Sequence, residues 1–557
     1  MKRTPFTLKF TLLFTLLIGL IISACQNANS PIDKDMIGHA QQLYDLEFTD
    51  IERDSMVDYL NGNLEGYQEL HAHSISNDTP LPLIFDPHPK GFQFPAAEQQ
   101  ENLFEIDLST EVPSDLNEIA FYPITKLAGL LQSGKMTSVQ LTTFFLERLK
   151  KYGDTLQCVI TLTEELALRE ATQMDEEFKA GKIRGPLHGI PYGIKDLFST
   201  KGYKTTWGAA PYKDQMIDED ARVVELLRDA GAILVAKLTS GMLANGDYWW
   251  GGRTLNPWNM NEGARGSSAG PGSATSAGLV PFSIGTETWG SILAPSSRCG
   301  ISGLRPTYGR VSRAGCMTLS WSMDKAGPMC RNAYDCAIVL SALNGHDNND
   351  RATVDVPFNF RDKSLQNLRI GYLNDIFKNE GDIKNNDSLF IEKLKEQGIA
   401  LSPIDLPEYL PLKVLSIIIR SESGAAFDEL TRENLDDLLT RQTKNSRPNS
   451  LRQSHFIPAV EYLQANRIRY KLINAMDSIF KNYDIIIAPG SGSQQSLITN
   501  LTGHPAISIP NGFNKEGSPT GITLIGGLYR ESDILELAIA FQQITEFDNM
   551  YPPQFLK

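Results

Sequence analysis

Residues 263–291 read GARGSSAGPGSATSAGLVPFSIGTETWGS. Glycine and serine dominate the stretch, yet LVPFSIG inside it is a core-type apolar run. Flexible linkers share the Gly/Ser bias but do not carry such a run. The composition instead suits a tightly folded backbone with hydroxyl and N–H groups turned toward a ligand. Glycine permits both the close approach and positive φ.

Around this stretch, short apolar runs alternate with helical patterns. The runs are 158–163, 189–196, 233–238, 279–286, 368–373, 484–489, 506–510 and 521–527. Ser138 precedes an amphipathic segment to Tyr152, and 164–181 is again helical, ending on Gly181. Strands alternating with helices imply an α/β fold, with a large, mixed, mainly parallel sheet covered by helices on both faces. Residues 34–72 carry helical periodicity, 77–100 are rich in Pro, Asp and His and read as irregular, and 407–470 reads as a helical elaboration over a site.

The first residues speak to compartment. Lys2, Arg3 and Lys9 precede an apolar run from Thr11 to Ile22. That run is short for a membrane span, which needs about 20 apolar residues, and has the flanks of a signal peptide. Ile22-Ser23-Ala24-Cys25 resembles a bacterial lipobox, which would make Cys25 the lipidated first residue of an exported, membrane-anchored protein. Loss of 1–24 would take the net charge from −14 to −17. An acidic chain without basic runs disfavours nucleic acid as a partner. Cys158, Cys299, Cys316, Cys330 and Cys336 are scattered and read mostly as small buried hydrophobes. His71 and His73 are a close pair, but there is no HExxH, and neither a metal nor a cofactor is expected.

Two catalytic readings compete. Gly266-Ser267-Ser268-Ala269-Gly270 fits the GxSxG elbow and would make Ser268 the nucleophile of an α/β-hydrolase-type esterase, with a downstream histidine such as His504. That motif needs a strand before it. The preceding GGRTLNPWNMNEGAR reads as none. The second reading is a resemblance. RGSSAG, followed 24 residues after Ser267 by Ser291 in TETWGSILAPSS, resembles the signature of the amidase signature family. GPLHGIPYGIKDLF (185–198), GLRPTYGRVSRAG (303–315), MDKAGPM (323–329) and NLTGHPAISIPNGF (500–513) are similar to further segments of that family, in order, over roughly 120–548.

The resemblance implies an amidase signature domain over 116–557, after a leader (1–24) and a tether with an N-terminal helical extension (25–115). By position it implies Lys195 as base, Ser267 as a bridging serine in a cis peptide and Ser291 as nucleophile. The oxyanion hole would come from the main-chain N–H groups of Thr288, Trp289, Gly290 and Ser291. A serine needs a base to take its proton, and a desolvated lysine can be neutral enough to serve. Asp196 would oppose this if its carboxylate lay close. Arg265, Ala269, Glu287, Trp289 and Leu293 depart from the family pattern. Trp289 is expected to narrow the site, Leu293 to remove an anchor for an anionic substrate, and Trp249 and Trp250 to help shape the acyl pocket. The expected function is hydrolysis of a small amide through an acyl-enzyme. The alternatives are the glutamine-hydrolysing component of a tRNA-dependent amidotransferase, which GLRPTYGRVSRAG also resembles and the export signal opposes, and a catalytically dead binding protein.

Overall fold

The computed structural model describes residues 31–95, 98–360, 365–378, 380–490 and 494–556. Cys25 and the apolar leader lie outside the described residues. Among the described residues no helix is long and apolar enough to cross a membrane.

The chain divides into two units, Met1–Ser76 and Asn77–Lys557. In the first, the periodicity of 34–72 becomes two helices, Lys34–Leu43 and Asp50–His71. Asp33 caps one, its side chain accepting from the Met36 N–H, and a Thr49/Glu52 capping box opens the other.

The second unit is built on an eleven-stranded sheet. Its strands are β1 (Val159–Leu162), β2 (Pro191–Lys195), β3 (Ile233–Leu238), β4 (Phe282–Glu287), β5 (Ser302–Arg305), β6 (Lys325–Cys330), β7 (Ile370–Leu373), β8 (Leu401–Ile404), β9 (Ile485–Pro489), β10 (Ala506–Phe513) and β11 (Pro519–Gly526). Their order is β1-β3-β2-β4-β6-β5-β10-β11-β9-β7-β8. Parallel pairing holds along β3-β2-β4 and along β9-β7-β8, and the pairs between these runs are antiparallel. Every residue of β2, β3, β4, β6, β9 and β11 is buried, as expected of strands with helices packed on both faces.

Every apolar run of the sequence contains or overlaps a strand of this sheet. Strands β5, β6 and β8 carry no such signal: SGLR, KAGPMC and LSPI are interrupted by Gly, Pro or charge. In β6, a Cβ on Gly327 would come within 2.1 Å of the Leu304 carbonyl, so the sheet needs glycine there. The stretch before Ser267, read as no strand, holds the strand Asn259–Gly263. Among the described residues it pairs with Leu255–Asn256 in its own small hairpin, outside the main sheet.

Candidate active site

Lys195 ends β2 with its side chain fully buried. Its Nζ lies 2.8 Å from Ser267 Oγ and 2.8 Å from Thr286 Oγ1. Desolvation dominates its electrostatics and brings its pKa down to about 7, against the weaker pull of Cys316, Asp324 and Glu287. Asp196, next in sequence, is turned into a different network. Its carboxylate lies 3.0 Å from Lys237 Nζ and accepts from the Thr206 N–H and hydroxyl at 2.8 and 2.5 Å.

The Gly266–Ser267 peptide bond is cis. The Ser267 carbonyl accepts from the Gly241 N–H at 3.1 Å, and the Ser268 N–H donates to the Ser291 carbonyl at 3.1 Å, which ties the two serine segments together. Ser268 itself is fully buried, its Oγ donating to the Thr286 carbonyl and accepting from the Thr286 N–H. It does not line the cleft that holds Ser291. Most hydroxyls of the Gly/Ser-rich segment likewise face inward, contrary to the expectation that they face a ligand. Ser273, Thr275 and Ser276 bond to the Leu255 carbonyl, Ser283 Oγ and the Cys299 carbonyl. The physical reason is the helix Ala269–Ser276, which is buried on all sides. A Cβ on Gly270 would sit 2.3 Å from the Thr239 nitrogen, so only a chain of small residues threads this space.

Ser291 lies in the turn between β4 and the helix Leu293–Cys299. Glu287 fixes that turn. One carboxylate oxygen accepts from the Ile292 and Leu293 N–H groups at 2.8 and 3.0 Å; the other accepts from Arg305 at 2.6 Å and Asn500 at 2.8 Å. Burial alone would raise its pKa, but Arg305 and these hydrogen bonds hold it at about 2. The Thr288 hydroxyl donates to Asp324 at 2.5 Å, and Asp324 also accepts from the Leu319 and Ser320 N–H groups. Gly290 has φ +82°, a conformation that favours glycine. Among the described residues, the N–H groups of Thr288, Trp289, Gly290 and Ser291 donate to no protein acceptor.

A profile of the family described as Amidase matches residues 140–498. The chain belongs to the amidase family. The A component of glutamyl-tRNA(Gln) amidotransferase from Acinetobacter baumannii (strain AYE) is 34% identical over 489 residues, covering 78% of this chain and 97% of the relative. The native peptide amidase of Stenotrophomonas maltophilia superposes with a TM-score of 0.69 at 27% identity, covering 77% and 98% of the two chains. An amidase family protein of Bacillus anthracis str. Ames gives 0.70 at 25% identity, covering 78% and 93%. As an amidase, this chain is a hydrolase of carbon–nitrogen amide bonds on the α/β fold of its family.

The amidase cleft around Ser291 has a volume of about 380 Å³ and is walled partly by Gly266, Thr288 and Trp289, partly by residues 416–450. Trp289 is 43% exposed and lines it. Trp249 and Trp250 do not line it; they pack on each other, and Trp250 donates to Thr206 Oγ1. Leu293 is buried in a cluster with Met323, Ile486 and Leu497, so its side chain faces the core. His504 is also remote from the cleft: it is stacked on Phe480, bonded to Thr502 Oγ1 at 2.8 Å, and held neutral by burial and by Arg305 with a pKa of about 3. Thr286 and Asp324 are the site residues that sequence reasoning missed. Both sit within recognised segments, but a lone Thr or Asp beside a motif carries no signal of its own.

Proposed function

We propose that the amidase cleaves its substrate through an acyl-enzyme on Ser291. The carrying observation is the 2.8 Å contact between Ser267 and a buried lysine whose pKa is near 7. In this reading Ser291 Oγ attacks the amide carbonyl, its proton passes to Ser267 Oγ, and the Ser267 proton passes to neutral Lys195. The tetrahedral oxyanion takes hydrogen bonds from N–H groups of 288–291. Its collapse breaks the C–N bond, and the proton returns along the same path to the leaving amine. Water then repeats the sequence on the ester. Fluorophosphonate labelling followed by peptide mass spectrometry tests the assignment: label belongs on Ser291, and label on Ser268 would overturn it.

The curated relatives favour one amide in particular. The A components of glutamyl-tRNA(Gln) amidotransferases match at 34% identity over nearly their whole length, which supports hydrolysis of the glutamine side-chain amide as part of a larger assembly. A free-standing amidase is the second reading. It is favoured by the likeness to a peptide amidase and by the leader sequence, from which we infer export and acylation at Cys25. Glutaminase activity measured with the protein alone, and labelled palmitate incorporation in wild type against Cys25→Ala, separate the two. Palmitate in the wild type only supports the free-standing enzyme. Unprocessed cytosolic protein supports the amidotransferase reading.

A further inference from the structure

Among the described residues, the start of the turn that presents Ser291 has a single side-chain tether. Trp289 is exposed in the cleft, and Gly290 has no side chain to anchor. Thr288 is buried, and its hydroxyl donates to one carboxylate oxygen of Asp324. The other oxygen accepts from the Leu319 and Ser320 N–H groups at 2.8 and 2.9 Å.

Packing does not replace this tether. Behind the turn lies a second cavity of about 860 Å³, which Thr286, Thr288, Asp324 and Lys325 help to line. Ala244, Thr288 and Leu319 border both this cavity and the cleft, so the start of the turn is a thin partition between two spaces. A group that borders open space forfeits the contacts that hold a packed one. The loop that carries Asp324 is itself fixed. Asn77 brackets Thr318, accepting from its N–H at 2.8 Å and donating to its carbonyl at 2.9 Å, and Ser320 Oγ donates to Glu422. Asp324 also forms no salt bridge among the described residues; Arg313, whose charge reaches it, is paired with Asp350. Burial raises the pKa of this carboxyl, and the hydrogen bonds from Ser320, Thr288 and Leu319 oppose that.

We propose that Asp324 is a positioning residue for the hydrolytic reaction: by holding the Thr288 hydroxyl it sets the place of the 288–291 N–H groups beside Ser291. This rests on the acyl-enzyme reading above and adds to it a residue that touches no substrate. The charge of Asp324 has a second, separable effect. Three groups oppose desolvation at Lys195: Cys316, Asp324 and Glu287. Burial keeps the Cys316 thiol protonated, and Glu287 is matched by Arg305. Asp324 has no such match, so its charge favours the protonated amine, and removing that charge frees the amine at lower pH. Lys325 and Arg447 lie in the same field.

The test reads how fast a fluorophosphonate labels Ser291 across pH 5–9, as a limiting rate and a half-saturating concentration. Asp324→Asn leaves one acceptor oxygen for two sets of donors. It should lower the limiting rate about tenfold or more, with half-saturation little changed, and move the ascending limb to lower pH by about half a unit or more. Thr288→Val should lower the rate similarly with the limb in place, and Thr288→Ser, which keeps the hydroxyl, should recover most of that loss. The double variant Asp324→Asn with Thr288→Val should label no more slowly than the slower single one, because both remove the same tether. A merely structural loss would instead cut the fraction of protein labelled at completion and leave the rate alone. A limiting rate near that of wild type in Asp324→Asn or in Thr288→Val overturns the proposal, as do equal losses in Thr288→Ser and Thr288→Val or additive losses in the double variant. If Asp324→Asn does not fold, the two Thr288 variants decide. Failure to label Ser291 in the wild type would overturn the acyl-enzyme reading, and the proposal with it.

Discussion

The Asp196 carboxylate and Lys237 Nζ are 3.0 Å apart and fully buried, and with Asp196 so paired Lys195 has no carboxylate partner among the described residues. Neighbours in sequence thus carry opposite electrostatic fates. Asp196 is neutralised by a second lysine, while among the described residues Lys195 meets only hydroxyls and a carbonyl.

The pH dependence follows. With a pKa near 7, Lys195 gives up its proton as pH rises through 7, and only the neutral amine can act as base. The kcat/KM profile should rise along a limb centred near 7. Lys195→Ala should lose most activity, about a hundredfold or more, and the activity that remains should lack that limb. Lys195→Arg should be no better, since guanidinium keeps its proton. Near-wild-type activity with the same limb in Lys195→Ala would move the base elsewhere.

Ser268 should behave as structure. Ser268→Ala removes two buried hydrogen bonds to the Thr286 backbone and should lower stability by about 1–3 kcal/mol. Ser291 of that variant should still label with fluorophosphonate. Thermal melts and labelling rates check both halves, and Ser291→Ala supplies the unlabelled control.

Glu287 links acid stability to the active-site turn. Its folded pKa of about 2 lies below the ordinary 4.5, so its contribution is fully present above about 4.5 and is lost as pH falls toward 2. Glu287→Gln should flatten the stability profile in that window. It should also destabilise by about 3–5 kcal/mol at neutral pH, because Arg305 is left buried without its partner. Chemical denaturation across pH 2–7 measures this.

Glu422 fastens the segment behind the cleft. It accepts from Ser320 Oγ at 2.5 Å, the Ser322 N–H at 3.0 Å, Ser322 Oγ at 2.7 Å and Tyr462 OH at 2.9 Å. Glu422→Ala should cost about 3 kcal/mol and speed hydrogen exchange over 417–426 ahead of the sheet. Uniform exchange across both regions would reject it as a local fastener.

The proximity of Lys195 to Ser267, and of the Ser267 and Ser291 segments, was more legible than the sheet. Lys195, Ser267 and Ser291 are placed by motif spacing, because the backbone that brings them together tolerates few other residues: Gly270 and Gly327 have backbone atoms within 2.3 Å of where a Cβ would stand. Strands β5, β6 and β8 were invisible because pairing with neighbouring strands, not side-chain preference, makes SGLR, KAGPMC and LSPI extended. The guanidiniums of Arg420 and Arg447 were equally hidden. An arginine in a helical, polar stretch reads as surface, and only the packing of that stretch against Ala244 and Leu319 turns them inward.

The two walls of the cleft have separate origins. The proposed proton path lies between the end of β2 and the serine segments that flank the buried Ala269–Ser276 helix and β4, where a Cβ on Gly270 does not fit. The arginines ride on a segment fastened to that framework through Glu422. That wall can therefore change its lining side chains without disturbing the strand ends and serine segments opposite, so long as Glu422, Ser320 and Ser322 are kept.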